Sequence, residues 1–219
     1  IINMKHKHTH YIYASFAFLL FVALGYMVKF YPEALTGFDS NIQTWVRGDL
    51  PGGLTAFFKM ITTLGNTSVQ AVIAILAVIW LYLRQYKAEA IFVGTSGVLA
   101  SIMIMSLKYI YQRPRPSITH LVHAGGYSFP SGHSLGTFMI LGAIAIVLTQ
   151  RLVKKAAKTA VYGITGLLIF LVGLSRIYVG VHYPTDVLAG FTLAFGLLNA
   201  IYPTYDRIRF EWRFQSKQK

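Results

Sequence analysis

Six long apolar segments dominate this 219-residue chain and constrain its fold more than any other feature of the sequence. A helix needs about 20 mostly apolar residues to cross the hydrocarbon core of a bilayer. Only 12% of the residues are charged, whereas a soluble domain usually carries about a quarter. The segments run over residues 11–28, 69–83, 90–107, 134–150, 159–174 and 187–202. We therefore predict an all-α polytopic membrane protein with six transmembrane helices, forming a single domain over residues 1–219.

Two stretches between these segments carry weaker signals. Residues 57–64 are apolar and end at Gly65-Asn66, so they predict a short interfacial helix that is separate from the second span. Residues 31–54 contain Pro, Gly and Asp, and they predict a loop with an amphipathic turn or two. The first apolar segment follows basic residues, as a secretory signal does. Its apolar run is longer than a typical signal core, which favours an uncleaved anchor.

The basic residues are distributed by loop, and this distribution predicts the orientation. A formal net charge of +13 would suggest a nucleic-acid partner in a soluble protein. With the N-terminus inside, however, thirteen of the twenty Lys and Arg residues fall on the inner side, as the positive-inside rule requires. We therefore expect no nucleic-acid partner, a multi-pass protein of the cell membrane, and cytoplasmic tails at residues 1–10 and 203–219.

Three short polar motifs interrupt the apolar pattern, each where a predicted span begins or ends. They are Lys108-Tyr-Ile-Tyr-Gln-Arg-Pro-Arg115-Pro116, Pro130-Ser131-Gly132-His133, and Ser175-Arg176 followed by His182 and Asp186. In the orientation derived from the basic residues, all three motifs emerge on the outer face. Ionisable groups gathered on one membrane face are costly unless they act together, so the motifs predict a single site.

The cations in these motifs are suited to holding a phosphate. Arg115 and Arg176 can each bind phosphate oxygens with a planar guanidinium fork, and Lys108 adds a point charge. Taken alone, Lys108 would also fit a lysine that snorkels from a helix end to the interface. Arg176 lies close to His182 in the sequence, which favours a role in binding.

The second motif predicts the start of the fourth span. Ser131 is a favoured N-cap residue, Gly132 lets the backbone approach an oxyanion closely, and His133 would lie in the first helical turn. Free N–H groups and the positive end of the helix dipole would then face the phosphate. On its own, the motif would also fit an ordinary Ser-Gly cap beside an interfacial histidine.

The third motif pairs a histidine with a carboxylate. Pro184 is favoured at the first position of a helix, so His182 would precede the sixth span and Asp186 would lie in its first turn. Asp186 could then bind one imidazole nitrogen and leave the other free to attack a phosphorus atom. The alternative is an aspartate that stabilises a helix N-terminus beside a loop histidine.

The remaining polar residues point to fewer kinds of chemistry. The chain has no cysteine, which excludes disulfides, thiolate catalysis and cysteine metal sites. No cluster of carboxylates is available to hold a metal ion, so we predict no metal and no cofactor. The histidines of residues 5–10 are better explained by a basic tail beside anionic lipid than by a metal site. His120 and His123 could line an entrance, or they could be loop residues without a role.

Taken together, the three motifs resemble the type 2 phosphatidic acid phosphatase superfamily. The pattern is Lys, six residues and Arg-Pro, then Pro-Ser-Gly-His, then Ser-Arg, five residues, His, three residues and Asp, and it matches from Lys108 to Asp186 without departure. The resemblance implies a metal-independent reaction in which His182 forms a phosphohistidine, Asp186 orients it, and His133 is the acid and then the base. It also implies that the phosphate is bound by Lys108, Arg115, Ser131, Gly132, His133 and Arg176.

The sequence therefore predicts an integral-membrane phosphatase whose lipid phosphate substrate is hydrolysed on the extracytoplasmic side. Compact members of this family act on phosphatidylglycerophosphate, on undecaprenyl pyrophosphate, or on both, and an outward-facing site slightly favours undecaprenyl pyrophosphate. Two alternatives remain: a non-catalytic lipid-phosphate binder or transporter, and a phosphatase for soluble phosphomonoesters. The pattern does not determine the oligomeric state.

Overall fold

The computed structural model describes residues 4–218, with side chains from residue 7 onwards, and in this part of the chain it contains α-helices and no strands. The all-α prediction is confirmed. The eight helices are α1 (Met4–Phe30), α2 (Glu33–Arg47), α3 (Gly52–Thr63), α4 (Thr67–Leu83), α5 (Lys87–Tyr111), α6 (Gly132–Thr149), α7 (Lys155–Tyr178) and α8 (Pro184–Phe214).

Five of these helices, α1, α5, α6, α7 and α8, are each long and apolar enough to cross a membrane. The remaining predicted span corresponds to α4, which has only 17 residues. Helix α4 qualifies as a span only together with α3, from which it is bent by 49°. The six predicted spans are therefore five single helices and one bent pair.

The region between the first two predicted spans is more ordered than the sequence indicated. The prediction of a loop over residues 31–54 was wrong, because α2 forms a 15-residue helix there. Its buried face carries Leu35, Asp39 and Gln43 at helical spacing. Two of these three residues are polar, so hydrophobic periodicity did not reveal the face. Helix α3 likewise starts at Gly52, earlier than the predicted interfacial helix at residues 57–64.

The first and last helices extend beyond the apolar segments that predicted them. Helix α1 begins at Met4, inside the predicted tail of residues 1–10, of which residues 1–3 lie outside the described part. Helix α8 continues through Pro203 to Phe214, so most of the predicted tail at residues 203–219 is helical, and residue 219 is again not described. Tyr205 explains this extension, because its ring stacks on Phe92 at 4.1 Å and ties the last turns of α8 to the bundle.

The helix directions gather the three motifs at one end of the bundle. Helices α5 and α7 finish at this end, α6 and α8 start there, and α2 packs against α7 and α8. Helix α6 is the most enclosed span, and Leu135 and Met139 on it are fully buried. At the opposite end, buried Glu89 pairs with Arg151 at 2.8 Å and Arg213 at 3.2 Å. Packing of antiparallel helices therefore brings motifs up to 78 residues apart in the chain into one site.

Candidate active site

A cavity of about 880 Å³ opens where the helix ends converge, and it collects most of the residues predicted from the motifs. Its polar lining consists mainly of Lys108, Arg115, Gly132, His133, Arg176 and His182. The other two predicted site residues, Ser131 and Asp186, are fully buried behind this lining. The structure therefore brings all eight residues together, six at the surface of the cavity and two in its supporting layer.

The third motif adopts the local structure that its proline predicts. Tyr183 is the N-cap of α8 and Pro184 is its first residue, so Asp186 lies in the first turn. Asp186 Oδ2 lies 3.3 Å from His182 Nδ1 and accepts a hydrogen bond of 2.9 Å from the Tyr183 backbone N–H. Both His182 and Asp186 are buried, which restricts the imidazole to this orientation.

The other imidazole nitrogen of His182 faces a cation. Arg115 Nη1 lies 3.3 Å from His182 Nε2. Because a guanidinium can only donate, Nε2 must accept, and the ring proton therefore lies on Nδ1, facing Asp186. The lone pair on Nε2 is then directed into the cavity. This is the tautomer that a nucleophilic histidine requires.

The surroundings of His182 also keep its imidazole neutral. The pKa of His182 is lowered from 6.5 to about 4. Burial is the largest cause, the hydrogen bond and the charge of Asp186 raise the pKa, and the charges of Arg176 and Arg115 lower it. At neutral pH the ring is therefore uncharged and its lone pair is available. Protonation in acid removes the lone pair.

The three cations of the motifs differ in how they are held. Lys108 makes no hydrogen bond or ion pair with any described residue, so its ammonium group is available to a ligand. Arg176 is buried, its Nη1 donates to Thr62 Oγ1 at 2.7 Å, and its Nε has no partner among the described residues. Arg115 donates to the carbonyl groups of Gly125, Gly126 and Val181. A buried guanidinium nitrogen without a partner at a cavity indicates an anionic ligand.

The start of α6 provides a second set of donors. Ser131 caps the helix as predicted, because its hydroxyl accepts from the Ser134 N–H at 3.4 Å. The backbone N–H groups of Gly132 and His133, in the first turn, have no acceptor among the described residues. A side chain at position 132 would press on Ile104, since an added Cβ would lie 3.3 Å from it. Packing against Ile104 therefore favours glycine here, and the two free N–H groups can bind an anion at this helix N-terminus.

Two buried residues behind the site were not assigned from the sequence. Arg113 Nη1 donates to Asp186 Oδ1, at 2.6 Å, and its Nη2 donates to Asp39 Oδ2 at 2.8 Å. Asp39, on α2, also accepts from the backbone and hydroxyl of Thr185. The duplicated Arg-Pro of the first motif was a possible signal for Arg113. Asp39 had none, because it lies in a segment that was predicted as a loop.

His133 also has a partner outside the motifs. Its Nε2 lies 3.0 Å from Asn66 Oδ1, at the start of α4. The two loop histidines differ from each other: His123 lines the cavity, whereas His120 Nε2 contacts the Pro116 carbonyl at 2.8 Å. Among the described residues, no group of three or more His, Asp or Glu side chains is arranged to hold a metal ion.

The cavity continues from the polar site into an apolar groove. Side chains of α4, α5 and α6 line this part, and they include Ala71, Ala74, Ile75, Val98 and Ile140. Gly97 on α5 leaves room in the groove, because even an added Cβ would have no neighbour nearer than 3.9 Å. The cavity thus joins a cationic end to a hydrocarbon-like channel within the membrane-spanning part of the bundle.

Comparisons with known proteins agree with this geometry. The sequence profile of the PAP2 superfamily matches residues 89–210, more than half of the chain. The chain is 43% identical over 106 residues to phosphatidylglycerophosphatase B of Bacillus subtilis, covering 48% of this chain and 49% of that protein. It is 32% identical over 133 residues to undecaprenyl-diphosphatase BcrC of Bacillus subtilis, covering 58% of this chain and 64% of that protein. The alignments thus span about half to two thirds of these two relatives.

A solved structure extends the similarity to the fold. The crystal structure of a transmembrane PAP2-type phosphatidylglycerolphosphate phosphatase from Bacillus subtilis matches with a TM-score of 0.82 and 28% sequence identity. The match covers 89% of this chain and 96% of that chain. The helical arrangement described above is therefore that of a known transmembrane phosphatase fold.

Proposed function

The chain belongs to the PAP2 superfamily of phosphatases, and on that premise we propose that it is a membrane lipid phosphate phosphatase that works through a phosphohistidine without a metal ion. The observation that carries the proposal is the continuity of the cavity. One end holds Lys108, Arg115 and Arg176, and the other is an apolar groove between α4 and α5. A phosphate attached to a hydrocarbon chain has both of these chemical parts.

In the proposed first step, the phosphate binds among Lys108, Arg176 and the free N–H groups at the start of α6. Arg115 Nη1 leaves the His182 lone pair and binds a phosphate oxygen. His182 Nε2 then attacks the phosphorus in line with the leaving oxygen, while Asp186 stabilises the imidazolium that forms. The cations and N–H groups neutralise the charge on the equatorial oxygens in the transition state.

His133 serves both halves of the reaction. It donates a proton to the leaving oxygen as the P–O bond breaks, which releases the lipid alcohol or lipid phosphate and leaves phosphohistidine on His182. The now neutral His133 takes a proton from a water molecule that attacks the phosphorus. Cleavage of the P–N bond releases inorganic phosphate and restores both histidines. The positive charges take the place of a Lewis acid in this scheme.

Relatives named for phosphatidylglycerophosphate and for undecaprenyl diphosphate suggest the substrate class. Either lipid fits a phosphate site joined to an apolar groove. An extracytoplasmic site slightly favours undecaprenyl pyrophosphate, a carrier released on that face. A role in peptidoglycan synthesis would follow.

Two other functions make different predictions. A non-catalytic binder or transporter needs the cations, but it has no use for an imidazole whose proton is fixed by Asp186. A phosphatase for soluble phosphomonoesters keeps the catalytic groups but does not need the groove. The groove lining therefore distinguishes the lipid substrate from the soluble one.

Substituting Gly97→Leu tests the lipid substrate directly. The leucine side chain would fill the groove without contacting the catalytic groups, so kcat/KM for a lipid phosphate should fall about 10–200-fold. Release of inorganic phosphate from a short soluble phosphate should change less than about twofold. Both rates are measured in detergent with a chelator present.

Gly166→Leu provides the matched control. Gly166 lies on α7 and an added Cβ there meets nothing within 4 Å, so its leucine would face lipid. We expect no change with either substrate. Equal loss on both substrates for Gly97→Leu would contradict the lipid proposal. Absence of phosphate release from any lipid phosphate by the unsubstituted protein would contradict the function as a whole.

The proposed orientation places both termini in the cytoplasm and the site outside, in the cell membrane. Because the chain has no cysteine, single cysteines can report on each side. Thr119→Cys and Asn41→Cys should react with an impermeant thiol reagent in intact cells, whereas Lys155→Cys and Ser216→Cys should be protected. All four positions are exposed, so reactivity reports sidedness rather than burial. Labelling of the Lys155→Cys variant from outside would contradict this orientation.

A further inference from the structure

The bend between α3 and α4 forms a wall of the site that none of the three motifs includes. Thr62 on α3 accepts the 2.7 Å hydrogen bond from Arg176 Nη1. Gly65 and Asn66 face the ring of His133, and Gln70 on α4 donates to the His133 carbonyl at 3.4 Å. All four residues lie outside the region matched by the family profile, which begins at residue 89.

The His133 ring packs directly against Gly65. A Cβ added to Gly65 would lie 2.5 Å from His133 Cδ2 and 2.9 Å from Cγ. These distances are shorter than any real Cβ contact, so a side chain here would displace the imidazole. Gln70 holds the first turns of α6 beside this ring, because its Nε2 donates both to the His133 carbonyl and, at 2.7 Å, to Thr137 Oγ1.

Asn66 contacts the ring itself. The Asn66 Oδ1 to His133 Nε2 distance is 3.0 Å. An amide oxygen can only accept, so Nε2 carries a proton that it donates to Asn66, and Nδ1 is the nitrogen left to exchange a proton with the substrate. Asn66 is the N-cap residue of α4, yet its side chain makes no capping hydrogen bond. Its amide therefore serves the histidine rather than the helix.

We propose that Asn66 is a positioning residue for His133, and that Thr62 is a positioning residue for Arg176. Asn66 binds the Nε2–H and fixes the ring, so that the Nδ1–H of the protonated imidazole donates to the leaving oxygen. Thr62 fixes the guanidinium that binds the phosphate. The inference rests on the proposed function, in which His133 is the acid and Arg176 a phosphate ligand.

The two roles predict different dependence on the leaving group. An acid matters in proportion to the basicity of the leaving oxygen, so Asn66→Ala should lower the rate with an alkyl phosphate about 10–100-fold. The first-step rate with 4-nitrophenyl phosphate, measured as the burst of nitrophenol, should fall less than about threefold. Thr62→Val should instead raise KM for both substrates by the same factor, because phosphate binding precedes either reaction.

Controls separate positioning from folding. Asn66→Asp keeps an acceptor at the same place and should restore most of the activity on the alkyl phosphate. Asn41→Ala, an exposed asparagine on α2, should leave both rates unchanged. Equal loss of Asn66→Ala on both substrates, or no loss on the alkyl phosphate, would overturn the role of Asn66. A kcat effect of Thr62→Val that depends on the leaving group would overturn the role of Thr62. If the unsubstituted protein cleaves neither phosphate, the result contradicts the proposed function itself rather than the two positioning roles alone.

Discussion

His182→Ala should abolish activity on every phosphate substrate, with a loss on the order of 10⁶-fold, as expected when the nucleophile of a hydrolase is removed. Without Nε2 no phosphoenzyme can form, whatever the leaving group. The measurement is phosphate release together with the pre-steady-state burst, with both alkyl and aryl phosphates. Asp186→Asn should give an intermediate loss, because the imidazole keeps its place but loses the partner that fixes its tautomer.

The effect of His133→Ala distinguishes the proposed acid and base from the proposed nucleophile. It should cost about 10²–10⁴-fold with lipid phosphates, whose leaving oxygens are basic. An activated aryl phosphate needs little protonation, so the first step should regain most of its rate. The variant should then release one burst of leaving group and stall, because the proposed mechanism also makes His133 the base for hydrolysis. If His182→Ala gives that burst and His133→Ala does not, the two roles are exchanged.

Arg113→Met should be the most destabilising change near the site. The variant leaves Asp39 and Asp186 buried without their shared cation, at a cost of about 3–5 kcal/mol in the free energy of unfolding. Thermal denaturation in detergent should show the loss. Adding Asp39→Asn should recover part of it, because one of the two unpaired carboxylates is then removed.

The same substitution should change the pH dependence. Without Arg113, the Asp186 charge beside His182 is no longer offset, so the pKa of His182 should rise from about 4 toward 6.5. Since the neutral imidazole is the proposed nucleophile, the acidic limb of kcat/KM should move to higher pH. Arg47→Met is the matched control, because Arg47 binds the Thr119 carbonyl and no carboxylate. An unchanged pH profile and stability for Arg113→Met would contradict the proposed support of Asp186.

The sequence predicted the spans and the local structure of the motifs because both depend on short-range patterns. Apolar runs identify helices that face lipid, and Ser131 and Pro184 mark helix starts through local backbone chemistry. The supporting contacts could not be predicted in the same way. Asp39, Thr62 and Asn66 are polar residues far from the motifs in sequence, and only the packing of α2, α3 and α4 brings them to the site.

Helix lengths were underestimated for a related physical reason. The length of an apolar run reflects the thickness of the hydrocarbon core, whereas a helix ends where its backbone loses tertiary support. Helix α5 gains a turn at each end of its predicted span, and α8 gains three turns after residue 202. Contacts such as Tyr205 with Gln150 Oε1, at 2.6 Å, stabilise the extension, and they have no signature in hydropathy.

The placement of the site at helix ends also separates the regions where the chain tolerates alteration from those where it does not. Helix α5, with 25 residues, holds Lys108 about 35 Å from the turn at residues 84–86. Arg84 and Gln85 in that turn are exposed, so we expect an inserted tag or fused domain between them to leave the reactive atoms in place. The segment of residues 112–131 has no such freedom, since it carries Arg113, Arg115 and Ser131 within twenty positions. Reporter insertions for localisation or purification therefore belong in the connection between α4 and α5.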